Sequence, residues 1–382
     1  MSDYGSQHGE GQPSPLISFI IPVYNVESYL DACLGSIAAQ AFGETEIIAV
    51  DGASEDESGK ILDEMARVEP RLRVFHLAEK GPGRARNMGV KHAKGEYIWF
   101  VDGDDTISAD CLTPIASRIK ATRPDVLFVA YQAFYPNGKS MPGYGQDLLG
   151  RKTPEYFTLA DQPWVTGLSM TSWSKVIRRE FFLSAFPPTT DAFSLSPSHE
   201  DIPVSCRLLM EAHRLSILNQ VCYGYRVERP GSAMVSGPKD RHFNVFHSYE
   251  TVLDEVEKRA SNGDRAITEK IKRAFFERAI WHYSSILGTA GLIEHDDRRK
   301  FFEKMNWDYL RYAPAGYRRP GGFRGLKFLL IEKDAFRLYS ILEPINKCRV
   351  GIVRLARALR ASSSSTGQQT IPAVGQAVPG RG

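Results

Sequence analysis

Through the first hundred residues, short apolar runs alternate with stretches whose apolar side chains recur every three or four positions. That alternation points to a parallel α/β sheet. Ile17 to Val23 is almost continuously apolar, as a strand covered on both sheet faces must be. Val26, Leu30, Cys33, Leu34 and Ile37 then fall on one helical stripe. A second strand spans Glu46 to Val50, and Ser54 with Glu57 three residues later has the pattern of a capping box for a helix carrying Ile61, Met65 and Val68. The third strand covers Leu72 to His76. A Gly-Pro-Gly turn precedes a helix from about Arg84 to Lys94, and Gly95 leads into a fourth strand, Tyr97 to Val101.

The chain has 382 residues, 42% hydrophobic and 24% charged, enough to bury a full core. No apolar run reaches the ~18 to 20 residues of a membrane span, and MSDYGSQHGEGQPSP lacks the basic and apolar regions of a secretory leader, so the cytoplasm is the expected compartment. Cys33, Cys111, Cys206, Cys222 and Cys348 are odd in number and form no CxxC pair, which fits buried thiols and neither a disulfide framework nor a zinc site. Residues 1 to 14 and 361 to 382 are rich in Gly, Ser, Pro and Gln and are expected to be disordered. Between them, 15 to 235 reads as one α/β catalytic domain and 236 to 360 as a mainly helical region, including Ile267 to Leu287 and Phe336 to Leu342.

Position is the informative property of the polar residues. Tyr24 and Asn25 follow strand one, Asp51 follows strand two, Lys80 to Asn87 follow strand three, and Asp102 to Asp105 follow strand four. All four groups lie at strand carboxyl ends, where loops and helix N-termini converge in an open α/β sheet and ligands bind. Asp102, Asp104 and Asp105 surround Gly103 in an Asp-x-Asp pattern whose repulsion a hard cation, Mn²⁺ or Mg²⁺, would relieve by sharing phosphate oxygens of a substrate. The alternative is a solvated acidic turn that caps the next helix. Gly81 to Asn87, with Gly83, Arg86 and Asn87, suits a diphosphate or an ordinary basic surface turn, and has neither P-loop nor dinucleotide-fingerprint spacing. Ser198-His199-Glu200-Asp201 offers either a general base or a helix cap, after a Pro- and Ser-rich stretch from 187 to 197 with the look of a mobile loop. Trp173, Lys175 and the aromatic and basic run Tyr223 to Arg229 could line a sugar pocket or belong to the core.

In this order these segments resemble the family 2 glycosyltransferases with the GT-A fold, of the bacterial polysaccharide-assembly type. ISFIIPVYNVESYLDACLGSIAAQ, VDGASEDES, GPGRARNMGVKHAKGEYIWFVDGDD and SHEDIPVSCRLL carry the resemblance, which runs from about Ile17 to Ser232. It implies a GT-A sheet flanked by helices and an inverting sugar transfer from a nucleotide-diphosphate donor to a glycan, polymer or lipid-linked acceptor. On that reading Asp102, Asp104 and Asp105 anchor the metal and Asp201, beside Glu200, deprotonates the acceptor. Pro22, Tyr24, Asn25, Asp51, Gly83, Arg86, Asn87, Asp102, Gly103 and Asp104 border the donor, and Trp173, Lys175, His199 and Arg226 fall on the acceptor side. Two positions depart from the family pattern: Gly52 follows Asp51 where many members pair two aspartates, leaving the nucleotide base open, and His199 stands where a small residue is common.

Two rival readings share the sheet. A sugar nucleotidyltransferase would carry a Gly-rich loop after strand one, where this chain has Pro22-Val23-Tyr24-Asn25. A catalytically silent scaffold would have lost the acidic cluster or the base, and both are present. The net charge of +3 conceals an asymmetry, because residues 311 to 360 carry twelve Lys and Arg against three acids. Their last turns, with Ile352, Val353, Leu355 and Leu359 among Arg349, Arg354, Arg357 and Arg360, form a basic amphipathic pattern suited to the inner face of a plasma membrane or to packing on the catalytic domain. No nucleic-acid-binding module is readable.

Overall fold

The computed structural model describes residues 14–143, 149–194, 198–227, 229, 238–260 and 265–342. Nearly all of 1 to 14, all of 361 to 382 and the basic segment 349 to 360 lie outside the described residues. Within them, nine strands form one mixed sheet: β1 (Ile17–Val23), β2 (Thr45–Asp51), β3 (Leu72–His76), β4 (Tyr97–Phe100), β5 (Thr106–Ile107), β6 (Val126–Phe134), β7 (Ser140–Pro142), β8 (Lys175–Arg178) and β9 (Leu215–Arg226). The order is β3-β2-β1-β4-β8-β6-β9-β5, with β7 paired to β6. β3, β2, β1 and β4 run parallel, as the sequence pattern requires, whereas β8 enters antiparallel between β4 and β6.

Helices α1 (Glu27–Ala38), α2 (Ser58–Ala66), α3 (Pro82–His92) and α4 (Leu112–Thr122) alternate with the first strands. They cover both faces, which is why all seven residues of β2 are buried. α3 lies so close to the sheet that a Cβ on Gly89 would meet Ile20 Cγ2 at 2.3 Å. The expected capping box does not form. α2 starts at Ser58, whose N–H is accepted by Asp56 Oδ1 at 3.0 Å. Ser54 Oγ is instead drawn across to accept the Asn25 N–H at 3.1 Å, so it ties two crevice loops together.

Further along come α5 (Arg179–Ala185), α6 (Asp201–Glu211), α7 (Asn244–Ala260), α8 (Arg265–Gly288) and α9 (Arg298–Tyr312). α7, α8 and α9 join through an aromatic cluster in which Phe246 lies 4.4 Å from Tyr283 and 4.6 Å from Phe301. The described residues to Tyr317 form one compact unit, and those from Arg318, which include α10 (Gly322–Glu332), form a second. No helix among the described residues is long and apolar enough to cross a membrane.

Candidate active site at the carboxyl edge of the sheet

The crevice is built where β1, β2, β3 and β4 end. Tyr24 is partly exposed, with Lys80 Nζ 5.2 Å from its ring centroid. Asn25 takes a left-handed conformation (φ 49°) that asparagine tolerates, and its Oδ1 accepts the Glu55 N–H at 2.8 Å. Asp51, at the end of β2, accepts the Ser54 N–H through Oδ1 at 3.0 Å and meets His76 Nδ1 through Oδ2 at 3.0 Å. Gly103 lets the acidic loop rest on β1, since a Cβ there would sit 3.2 Å from Val26 Cγ2 and 3.3 Å from the Pro22 carbonyl oxygen.

The centre of the crevice is Arg86 on α3, whose side chain is 6% exposed. Its Nη2 donates to Asp102 Oδ1 at 2.9 Å and its Nη1 to Glu200 Oε1 at 2.7 Å, while Asp201 Oδ1 lies 3.8 Å from Nη1. One guanidinium therefore joins the acidic loop to the segment ahead of α6. Burial alone would lower the Arg86 pKa, but Asp201, Asp102 and Glu200 together hold it above its ordinary value. Burial raises the Asp102 and Glu200 carboxyls against the pull of the same arginine. Asp201 Oδ1 is buried and accepts no hydrogen bond. Such an orphaned acceptor in a charged crevice marks a place where an incoming donor group can be received.

The three aspartates of the loop divide their tasks. Asp105 is 1% exposed and accepts from Tyr223 O–H at 2.7 Å and from the Arg226 N–H at 2.7 Å. Burial, then Asp104 and Asp102, push its carboxyl well above the usual range. It is spent on anchoring the loop to β9. Asp104 Oδ2 pairs with Arg229 Nε, and its carbonyl oxygen accepts Arg226 Nε at 2.9 Å. Among the described residues no group of three or more His, Cys, Asp or Glu is arranged as a metal cage. Asp102 and Asp104 nonetheless fit the mode in which a hard cation takes one or two carboxylates and completes its sphere with substrate oxygens.

Other residues expected here have their side chains or close contacts engaged by the protein itself. A Cβ on Gly83 would fall 2.5 Å from the Phe193 carbonyl oxygen, and Asn87 Oδ1 accepts the Phe193 N–H at 3.2 Å, so both hold the 192–194 turn against α3. Trp173 is stacked on Tyr223 and Tyr225, with centroids 4.5 and 5.3 Å apart, inside the main core. Lys175 is fully buried and donates to the carbonyl oxygens of Ser169 and Thr171, each at 2.8 Å. Burial brings its pKa down to about 7. His199 has φ 58°, a left-handed conformation cheapest for glycine and adopted by histidine more readily than by most other residues, and its ring packs 5.7 Å from His242 and 6.0 Å from His282. Burial first, then His242, pushes it down to about 4. Ser248 Oγ donates to the His199 carbonyl oxygen at 3.3 Å and Ser198 Oγ to that of Arg241 at 3.0 Å, so α7 and the turn before it fasten the Glu200-Asp201 segment.

Comparison with known proteins follows the same lines. Residues 18–184 match the family model described as Glycosyl transferase family 2. The glycosyltransferase GlyG of Streptococcus pneumoniae is 31% identical over 228 residues, a match spanning 58% of this chain and 73% of GlyG. The chain belongs to glycosyl transferase family 2. The poly(ribitol-phosphate) β-N-acetylglucosaminyltransferase TarS of Staphylococcus aureus is 29% identical over 304 residues, or 78% of this chain, and the uncharacterized glycosyltransferase EpsJ of Bacillus subtilis is 32% identical over 222, or 57% of this chain. The matches span 49% of TarS and 62% of EpsJ, less than two thirds of either. Crystal structures of TarS 1–349 with UDP and with UDP-GlcNAc superpose with TM-scores of 0.63 and 0.64 at 21% and 22% identity, covering 87% of this chain and 91% of theirs. The fold is GT-A.

Proposed function

We propose that this family 2 chain transfers a sugar, with inversion at the anomeric carbon, from a nucleoside-diphosphate sugar to a hydroxyl of a glycan, polymer or lipid-linked acceptor in cell-surface polysaccharide synthesis. The observation that carries the reading is the buried Asp201 Oδ1, which accepts no hydrogen bond and lies 3.8 Å from the arginine that holds Asp102. In the step, the acceptor O–H gives its proton to Asp201 while its oxygen bonds to the anomeric carbon. The bond from that carbon to the diphosphate oxygen breaks on the opposite face. Arg86 keeps base and donor loop in register, and Glu200, already committed to Arg86, serves as its anchor. A Mn²⁺ or Mg²⁺ ion held by Asp104 with Asp102 would supply charge neutralisation for the departing diphosphate.

TarS has been solved with UDP and UDP-GlcNAc, so a UDP-sugar is the first donor to test. The test is release of nucleoside diphosphate from a panel of nucleotide sugars offered with ribitol-phosphate and glycan acceptors, followed by NMR of the new linkage. An inverted linkage supports the reading, and a retained one overturns it.

Asp104→Asn should raise the Kd for UDP in Mn²⁺ about tenfold or more, since a charge-assisted contact is worth about 1.5–3 kcal/mol. Affinity without metal should change little. Titration calorimetry reads both, and equal affinity for wild type and variant in Mn²⁺ would remove Asp104 from the metal.

We further assign residues 311–360 to contact with the inner face of the membrane, near a lipid-linked acceptor. Leu326, Leu338 and Ile341 are exposed in a segment that also presents Lys333 and Arg337 on its surface. The protein should sediment with vesicles containing phosphatidylglycerol and be released by salt. Equal recovery with phosphatidylcholine vesicles would contradict this.

A further inference from the structure

His76, the last residue of β3, holds a ring between carboxylates from two other elements. Nδ1 lies 3.0 Å from Asp51 Oδ2 on β2, and Nε2 lies 3.1 Å from Asp63 Oδ1 on α2. A neutral imidazole has one N–H and satisfies only one such partner, whereas the imidazolium donates to both. α2 presses its backbone onto the pair at Gly59, where a Cβ would stand 3.2 Å from Asp51 Oδ2 and 3.6 Å from His76 Cε1. Asp51 is thus held from one side by the Ser54 N–H and from the other by His76, and its side chain is 8% exposed.

We propose that His76 is a positioning residue for the nucleotide: as an imidazolium it fixes the Asp51 carboxylate and offsets its charge at the nucleoside end of the crevice, so that donor affinity weakens as His76 deprotonates. This rests on the reading of the crevice as a nucleotide-sugar site. It gives a role to the single aspartate that Gly52 leaves after β2: a cation from β3 steadies the carboxylate and lowers its charge toward an anionic ligand. The sign follows from linkage. Burial lowers the His76 pKa, but the hydrogen bonds to Asp51 and Asp63 outweigh it and raise it overall from 6.5. An anionic nucleotide nearby favours the proton further, so affinity is full at and below that ordinary value and falls as pH rises through the raised one.

The experiment is calorimetric titration of the full chain with UDP and Mg²⁺ from pH 6.5 to 9. Wild type should weaken across this range. His76→Asn keeps an N–H toward Asp51 without titrating, and should bind UDP at a nearly constant Kd. The comparison removes any pH effect of the nucleotide itself. His76→Leu should raise the Kd about tenfold at pH 6.5, as loss of a charge-assisted hydrogen bond does, with kcat for the transfer changed less than KM. Asp63→Asn, which removes one of the two carboxylates holding the proton, should bring the fall in affinity to lower pH. The His76 ring is 44% exposed, so these variants should fold, and thermal melting checks it. Identical pH profiles for wild type and His76→Asn, or unchanged UDP affinity in His76→Leu, would overturn the assignment while leaving the donor site standing. Failure of wild type to bind any nucleoside diphosphate would remove the donor site and this inference together.

Discussion

Asp201→Asn is expected to lower kcat by about 10²–10⁴-fold, the range that a positioned general base contributes, while leaving UDP affinity within about twofold of wild type. Asn keeps the size of the side chain and removes its capacity to take a proton. Asp201 opens α6, and its Oδ1 receives no protein hydrogen bond. Glu200, by contrast, already accepts Arg86 Nη1 at 2.7 Å. Glu200→Gln should therefore act mainly through loop placement and reduce activity less than Asp201→Asn. Steady-state kinetics beside calorimetry separates the two, and full turnover in Asp201→Asn would sink the base assignment.

The second large effect belongs to Arg86. Arg86→Leu leaves Asp102, Glu200 and Asp201 clustered without their common cation, and removing one partner of a buried ion pair costs about 3–5 kcal/mol. Chemical denaturation should show that loss. Arg86→Lys retains charge but cannot donate to Asp102 and Glu200 in the planar fork that joins them at 2.9 and 2.7 Å. It should fold better than Arg86→Leu and still lose about 10²-fold in kcat/KM, because small displacements of catalytic groups carry penalties of that order. Both donor KM and kcat should suffer, since the arginine holds the acidic loop and the Glu200-Asp201 segment at once. A kcat/KM for Arg86→Lys within threefold of wild type would show that the bridge is dispensable.

The sequence makes the parallel half of the sheet legible because β1, β2 and β4 are buried on both faces and their apolar runs are nearly continuous. The crevice is legible for the same reason, since the polar groups that form it follow directly on the carboxyl ends of those runs. Contacts that span long stretches of chain left no local signal. Arg86 and Glu200 are separated by 114 positions, and Tyr223, whose O–H is given to Asp105 and whose oxygen accepts the Asp102 N–H at 3.1 Å, lies 121 positions from Asp102. Trp173 and Lys175 have residue types common to sugar pockets and cores, and only the stacking on Tyr223 and the carbonyl cradle of Ser169 and Thr171 place them inside. Ser54 and Glu57 have capping-box spacing, but the Asn25 N–H competes for the serine oxygen, and tertiary structure overrides the local pattern.

The most direct test of the account is titration of the wild-type chain with UDP, GDP, CDP and ADP, each with and without Mn²⁺. UDP is expected to bind, with Mn²⁺ tightening it about tenfold or more, as a cation shared between Asp104 and a diphosphate would. Equal affinity with and without Mn²⁺ would remove the metal from the acidic loop. Binding of none of the four in either condition would contradict the crevice as a nucleotide-sugar site.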